Sequence, residues 1–594
     1  MAKPLEAPLC IVFVTAAAGA GTRAAPYGAA TVASALSARA DFAGKISISI
    51  MESLPGDPPE DIAARVLNLK PQLVGFSVYS WNRASLGSIA RALRPRLATA
   101  LFVAGGPETS ADPEGVMAEG LADIAVAGEG EAAMAGIVAA VLGRPAGAGL
   151  RGIIDSGTII RSAMLDPVSL GSPWLDGTLN PATWGGATME LARGCPFRCA
   201  FCFESKGAAI GTKGAAIGTK GDAKVRHFPL ARVATELDRF RSAGVQEVFV
   251  LDPTFNADGK RMAEAVRLMA EKGTGLRFIL ELRAELLDRN QARLLAGLDC
   301  SVQIGLQSSD PAVLAGVDRS FDPAIFARKV RLLEEYGVVY GLDLIYGLPG
   351  DDPAGFSRSL DYALALVPNH LDVFRLAVLP GTALAERAEG HALEYDRLAP
   401  HLVHSTPTFP AVALDRADRI ASAMDLLYNR GRAVVWFPAI SKALGMKPSA
   451  IIEAFADSAQ AQGLATGSGL DVVARSAADS GTATVPVPSH RDIETASLSF
   501  INDLFRDRAR PGATTSGMAK AGIDLIRASG AWTRALAEGE TTELALDWSP
   551  DELMDYAAAD LRRFVSEFDK NPGRWACAPG RDGPHFTRLK TRRH

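Results

Sequence analysis

The chain has 594 residues, 62 basic against 67 acidic side chains and 48% hydrophobic content, which is length for three or four domains at roughly 150 residues each. A net charge of −5 supplies no basic field of the kind that binds nucleic acid. Six cysteines are too sparse for a disulfide framework. With no apolar run of membrane-spanning length and no signal-peptide layout at the start, no membrane association is expected, and the expectation is a soluble, cytoplasmic protein that acts as a monomer.

Residues 1–145 alternate short apolar runs, at 10–14, 46–50, 73–78, 101–104 and 124–126, with amphipathic stretches at 28–38, 62–69 and 86–97. That alternation predicts an α/β fold, a Rossmann-like doubly wound parallel sheet. Ligands of such sheets sit beyond the carboxyl ends of the strands. Interest therefore falls on Trp81-Asn82-Arg83 after the third strand, Gly105-Gly106 after the fourth and Gly128-Glu129-Gly130-Glu131 after the fifth. Paired glycines let backbone approach a flat or phosphorylated ligand, although glycines also end many strands for turn reasons alone. Residues 146–185, rich in Gly, Pro and Ser, read as a linker.

From 186 to 405 six strand-and-helix units follow, with strands expected at 188–192, 247–251, 277–282, 301–306, 339–346 and 373–379. Six such units make a partial (β/α)6 barrel, whose active site gathers at the carboxyl ends of the strands. The first of those ends carries Cys195, Cys199 and Cys202 in a Cys-x-x-x-Cys-x-x-Cys spacing. Three thiolates hold three corners of a [4Fe-4S] cluster, which normally takes four cysteines, so one iron is left open. Zinc would need a fourth Cys or His at finger-like spacing, and the nearest candidate is His227. Cys10, Cys300 and Cys577, each isolated in sequence, read as buried free thiols.

The run Cys195-x-x-x-Cys199-x-Phe201-Cys202 resembles the signature loop of the radical S-adenosylmethionine (SAM) superfamily. The resemblance implies that the open iron chelates SAM and that an electron, delivered by an external donor, cleaves its sulfonium. Joined to that loop, the Gly-Gly-Pro and Gly-Glu-Gly-Glu turns make 1–145 look like the cobalamin-binding domain found ahead of many radical SAM modules. The chain thus resembles the cobalamin-dependent radical SAM methyltransferase family, in which methylcobalamin delivers a methyl from SAM to an unreactive carbon of a small-molecule substrate. Trp81-Asn82-Arg83 and the general layout are most similar to the tryptophan carbon-2 methyltransferases of thiopeptide antibiotic biosynthesis. Relatives that form rings or rearrange carbon skeletons without methyl transfer are the alternative outcome, and an electron-transfer or structural cluster protein is the alternative from another class.

The resemblance also assigns residues. No histidine precedes His227, so the first domain offers no imidazole to cobalt, and Trp81, Asn82 and Arg83 are expected to cover its lower face. Gly105, Gly106, Glu129 and Gly130 are expected around the rest of cobalamin. A cation from Arg83 beneath the metal would favour its electron-rich state. The bland readings are a packed aromatic for Trp81 and a surface charge for Arg83. In the barrel Asp252, Asn256, Glu281, Gln307 and Ser308 are the SAM candidates. Glu281 would hold the SAM amino group or approach the open iron; its bland reading is an ion pair with Arg283 or another barrel residue. The direct repeat at 207–213 and 214–220 reads as a mobile loop at the site mouth. Residues 406–594 read as a mainly helical domain that closes over the barrel, with helices at 416–428, 447–460, 493–505, 517–528 and 550–568.

Overall fold

The strand β1 (Leu9–Ala16) buries both of its faces, Ile11 and Phe13 toward one helical layer and Val12 and Val14 toward the other. Such two-sided burial is what a central parallel strand demands. It pairs in parallel with β2 (Ile46–Ser53) on one side and β3 (Leu73–Ser77) on the other. With β4 (Leu101–Gly105), β5 (Ile124–Ala127) and β6 (Thr158–Arg161) the sheet order is β2-β1-β3-β4-β5-β6. Helices Pro59–Asn68 and Arg83–Leu93 cover one face, and Tyr27–Ser37 and Gly130–Leu142 the other. The computed structural model describes residues 7–17, 25–143, 157–204, 225–461, 488–508, 513–581 and 583–589; the repeat at 207–220 lies outside the described residues.

β6 falls inside the expected linker. Four residues are too short to show a period, yet Ile124–Ala127 pairs with all of them. The same stretch also anchors Trp174, which is fully buried and donates from its indole to the Thr188 carbonyl at 2.8 Å.

The second sheet is built from β7 (Gly186–Met189), β10 (Glu247–Val250), β11 (Arg277–Leu282), β12 (Cys300–Gln307), β13 (Val339–Tyr346) and β14 (His370–Arg375). All its pairings are parallel, in the order β14-β13-β12-β11-β10-β7. Between β7 and β10 lie the short antiparallel β8 (Ala192–Arg193) and β9 (Arg226–His227). Alternation decides the faces: Phe278, Leu280 and Leu282 are buried, while Glu281 on the same strand is exposed toward the inside of the barrel. Four of the outer helices start on an aspartate that accepts backbone N–H groups of the first turn: Asp258, Asp288, Asp322 and Asp352. Each such cap stabilises its helix by about 1 kcal/mol and ends the loop above it at a defined point.

The rest is mainly helical, as expected, with two small additions. β15 (Glu394–Tyr395) pairs β16 (Val403–Ser405), and β17 (Thr542–Leu546), β18 (Gly573–Ala578) and β19 (His585–Arg588) form an antiparallel sheet that the sequence pattern did not reveal. The helix Ala411–Met424 and its continuation Asp425–Arg430 lie along β14. Asn429 there accepts from Leu371 N and donates to Leu371 O, both at 2.9 Å. A side-chain amide thus satisfies the edge strand of the open barrel, which would otherwise present unpaired backbone. No helix among the described residues is long and apolar enough to cross a membrane.

Candidate active site between two sheet edges

The cysteine loop leaves β8 through Gly194, whose φ of +91° suits glycine. Ala200 N donates to Val317 O and Leu384 N donates to Ala200 O, pinning the loop to the barrel on two sides. Cys195 and Cys199 are buried and Cys202 is half-buried, and none of them forms a disulfide. Burial pushes the Cys202 thiol up to about 12, a desolvation cost that metal coordination offsets. Among the described residues no three His, Cys, Asp or Glu side chains are grouped as ligands of one ion. The cysteines of a cluster each take a different iron, so they need not close on one ion as zinc ligands do. A cation completes the chemistry: Arg283 Nη1 donates to Cys199 Sγ at 3.6 Å, and its guanidinium stacks on Phe197 at 3.9 Å. The donor set therefore fits three corners of a [4Fe-4S] cluster.

The SAM candidates separate into two groups. Asp252 is buried and accepts from Leu191 N at 2.8 Å and Ala192 N at 2.9 Å, and burial pushes its carboxyl up to about 7. Asn256 is buried and bridges to Arg283 N and O, both at 3.0 Å. Ser308 is buried against Ser359 Oγ and Asp310 N. These three differ from the expectation of cofactor contact: their polar atoms brace the loops at the strand ends.

Glu281 and Gln307 are not spent on bracing bonds of this kind among the described residues. Gln307 adopts φ of +70° where β12 and β13 shift register, and its buried Oε1 has no hydrogen-bond partner. Glu281 has no cation paired to it among the described residues. Its side chain opens onto the hollow of the barrel, yet the protein around it desolvates the group and, with Asp343 and Glu204, pushes its carboxyl up to about 7. The bland reading of Glu281 is corrected, since Arg283 turns to Glu285 and Cys199. Level with Glu281 in the strand register, Gln303 Nε2 donates to Asp343 Oδ1 at 2.5 Å and Asp372 Oδ2 at 3.1 Å. Burial is also the main reason the Asp343 carboxyl is pushed up, to about 6. The sequence reading missed this pair, although the alternation of β12 and β13 places Gln303 and Asp343 on the inner face.

At the edge of the first sheet, the order β2-β1-β3 puts the topological switch between β1 and β3, where ligands of open α/β sheets bind. The loop after β3 is built to present one ring. Asn82 is buried, accepts from Tyr79 N at 2.8 Å and donates to Ser77 O at 3.0 Å. Trp81 stands beside it, 40% exposed and stacked on Tyr79 with centroids 4.4 Å apart. A Cβ on Gly106, at φ of +105°, would stand 2.5 Å from Val78 O. The loops thus pack backbone on backbone and leave a low, flat edge that fits a corrin ring. Gly105 and Gly130 lie on the same edge, at the ends of β4 and the turn after β5.

Arg83 departs from the expectation. It is buried, with Nη1 donating to Glu108 at 2.9 Å, Nη2 to Asp112 and Glu119 at 2.7 Å each, and Nε to Glu119 at 3.2 Å. Burial alone would lower its pKa, and the three carboxylates hold it well above the ordinary value instead. Its charge is compensated on every side, so it is no bare cation beneath a metal. Glu129 likewise serves the domain seam, accepting from Leu165 N at 2.7 Å and pairing with Arg226.

That seam brings the two sheet edges together. Arg193, which opens the cysteine loop, pairs with Glu131 and Glu190 at 2.9 Å each. On the other side Glu108, already bonded to Arg83, lies 2.7 Å from His401 Nε2, and both are almost fully buried. No sequence signal marks His401 as the partner, because 293 residues separate the two.

Fold and site together define a cobalamin-dependent radical SAM protein, and comparison with known proteins agrees. Residues 189–363 match the Radical SAM superfamily and residues 14–138 the B12 binding domain. The chain is 26% identical over 369 residues to cobalamin-dependent radical SAM methyltransferase TokK of Streptomyces tokunonensis, covering 57% of this chain and 51% of that protein. The same identity and coverage relate it to the 2-(S-pantetheinyl)-carbapenam-3-carboxylate methyltransferase of Streptantibioticus cattleyicolor. The chain spans about half the length of these curated relatives. The solved structure of TsrM from Kitasatospora setae, with cobalamin and a [4Fe-4S] cluster bound, shares the fold with a TM-score of 0.52 at 19% identity over 68% of this chain and 82% of that one. OxsB with aqua-cobalamin gives a TM-score of 0.54 at 13% identity, over 84% and 80%.

Proposed function

We propose that this protein transfers a methyl group from SAM, by way of cobalamin, to a carbon of a small molecule. The observation that carries the reading is the seam: Arg193–Glu131 and His401–Glu108 hold the cysteine loop and the end of the barrel against the flat edge of the first sheet. When bound, the cluster supplies single electrons and an attachment point for SAM, and cobalamin supplies a methyl carrier.

The chain's own residues do the rest. Cys195, Cys199 and Cys202 would hold the cluster. Trp81 would cover the lower face of the corrin, with Gly105, Gly106 and Gly130 leaving room at its rim. Glu281 and Gln307 would meet the amino acid end of SAM from the inside of the barrel. Glu281, with its carboxyl pushed up to about 7, can hold or accept a proton at neutral pH, the range in which a general base is most effective. A substrate carbon that gains a methyl as a nucleophile loses a proton, and Glu281 would take it. An external one-electron donor and action as a monomer in the cytoplasm belong to the same proposal.

Carbon 2 of tryptophan is the substrate to assay first. Its support is the fold shared with TsrM, one structure of which contains tryptophan and a SAM analogue. Arg83 lends that choice nothing, its donors being occupied. The test is anaerobic incubation of cobalamin-loaded, cluster-loaded protein with SAM, a reductant and tryptophan. A product heavier by one methylene, with S-adenosylhomocysteine, is expected. A product of unchanged mass would replace the reading by a ring-forming or rearranging reaction, and release of neither S-adenosylhomocysteine nor 5′-deoxyadenosine would leave an electron carrier.

A further inference from the structure

Glu108 brackets the loop that carries Trp81. Its backbone N–H donates to the Val78 carbonyl at 3.2 Å, just before the loop, and its Oε1 accepts from Arg83 Nη1 at 2.9 Å, just after it. The same Oε1 is held from outside the domain, because His401 Nε2 donates to it at 2.7 Å. Carboxylate and imidazole are 4% and 1% exposed, and a hydrogen bond to a carboxylate made away from water is strong. His401 in turn belongs to the end of the barrel. Its carbonyl accepts from Val378 N at 2.9 Å, and its neighbour Leu402 bridges Ala377, which extends the line of β14. Its N–H donates to the Leu398 carbonyl at 3.0 Å. Its φ of +62° lies in the left-handed region, which a histidine keeps where its surroundings fix it. Gly381, in the turn after β14, packs on Ala111, the last residue of the helix that holds Glu108: a Cβ on Gly381 would stand 3.4 Å from it. The barrel therefore grips the first domain at the residue that ties both ends of the Trp81 loop.

We infer that His401 is a positioning residue for the cofactor edge: by holding Glu108, the end of the barrel sets how closely the Trp81 loop lies against that edge. The inference rests on the proposed function, in which Trp81 covers the lower face of the corrin. A loop held down keeps water off that face, and a loop that lifts lets water in as a lower ligand. Solvent access of this kind tunes a bound metal, and a ligand that donates electrons from below disfavours the electron-rich state of cobalt. His401 acts through Glu108 and not on the corrin itself.

The first test needs no cofactor: hydrogen exchange on the full chain, followed by mass spectrometry. In His401→Leu, peptides across 78–83 should exchange about tenfold faster, the scale of one hydrogen bond to a charged group, while β1 keeps its protection. His401→Gln, whose amide can donate at similar reach, should restore most of it. The second test loads the chain with cobalamin, reduces the cobalt to its paramagnetic divalent state with titanium(III) citrate and records electron paramagnetic resonance. Wild type should show no lower ligand and His401→Leu a bound water. Trp81→Ala should show the same water, and adding His401→Leu to it should change the signal no further. Wild-type exchange at 78–83 in His401→Leu, or faster exchange spread evenly over the first domain, overturns the positioning role and leaves the proposed function standing. So does a bound water in wild type, or a further change in the double variant. Where His401→Leu fails to fold, Glu108→Gln keeps the shape of the staple without its charge and should raise exchange at 78–83 to a smaller extent; no rise there overturns the role as well. A wild-type chain that binds no cobalamin overturns the proposed function, and the covering role with it.

Discussion

Two glutamates at the rims of the two sheets, Glu108 and Glu281, show opposite uses of the same side chain. Glu108 is buried at the domain seam between Arg83 at 2.9 Å and His401 at 2.7 Å. Glu281 faces into the barrel with other carboxylates as its charged neighbours. Burial would raise the Glu108 carboxyl, and His401 and Arg83 outweigh it and hold the group below its ordinary range. At Glu281 desolvation and the repulsion of Asp343 and Glu204 act together and push the carboxyl up to about 7. Where charges are compensated the residue builds the protein; where the protein leaves one uncompensated, it is available for chemistry.

The largest expected effect lies at neither glutamate. Replacing Cys195, Cys199 or Cys202 by Ser removes a corner of the cluster, and iron content and the proposed activity should fall to background in each. Iron retained at the wild-type level in any of the three would mean that the loop is not the cluster ligand.

Next comes Glu108→Ala. It leaves Arg83 Nη1 and His401 without their shared acceptor in a buried setting, and breaking such a pair costs about 3–5 kcal/mol, softened here because Asp112 and Glu119 still hold Arg83. A lower melting temperature is expected, read by differential scanning fluorimetry. The pH dependence has a definite sign. A carboxylate whose folded pKa is lowered contributes stability above its unfolded pKa of about 4.3 and loses it as pH falls through the folded value. The penalty of Glu108→Ala should therefore shrink in acid.

Glu281→Gln should behave the other way. A carboxyl raised to about 7 is protonated in the folded chain while the unfolded chain has already ionised it, so stability declines as pH rises from about 4.3 to about 7. The glutamine variant should melt higher than wild type at pH 8 and level with it near pH 4. It should also lose turnover by about 100-fold, the low end of what a positioned base contributes, and lose the rise of activity through neutral pH. Unchanged activity with the predicted melting shift would leave Glu281 a carboxylate under strain with no part in the reaction.

These contrasts also explain what could be read from sequence. Both sheets and the cysteine loop were legible because their signals are local: the alternation of Ile11 to Val14, the spacing of Cys195, Cys199 and Cys202, the strand-end position of Glu281. Arg83 was legible as a charge near the cofactor edge and illegible as a structural one, since its partners lie 25, 29 and 36 residues on. Asp252, Asn256 and Ser308 stood at strand ends and are spent on backbone N–H groups, which a strand-end rule cannot foresee. His401 was missed outright. Its partner, Glu108, is reached only when the first domain folds back on the barrel.

The smallest expected effect on stability, and the sharpest test of the flat edge, is Trp81→Ala. The ring is 40% exposed and rests on Tyr79, while the turn beneath it is fixed by Asn82 and not by the indole. Exposed substitutions of this kind stay within about 0.5 kcal/mol, so the melting temperature of the cofactor-free chain should barely move. If the indole covers the corrin, the same variant should retain less cobalamin through gel filtration, seen in the absorption spectrum, and Trp81→Phe should recover part of it. The opposite substitution, Asn82→Ala, removes the two bonds that set the turn and should weaken retention through misplacement of an intact ring. Equal retention in Trp81→Ala and wild type would move the corrin away from the β3 loop, and with it the reason for the flat edge at Gly105 and Gly106.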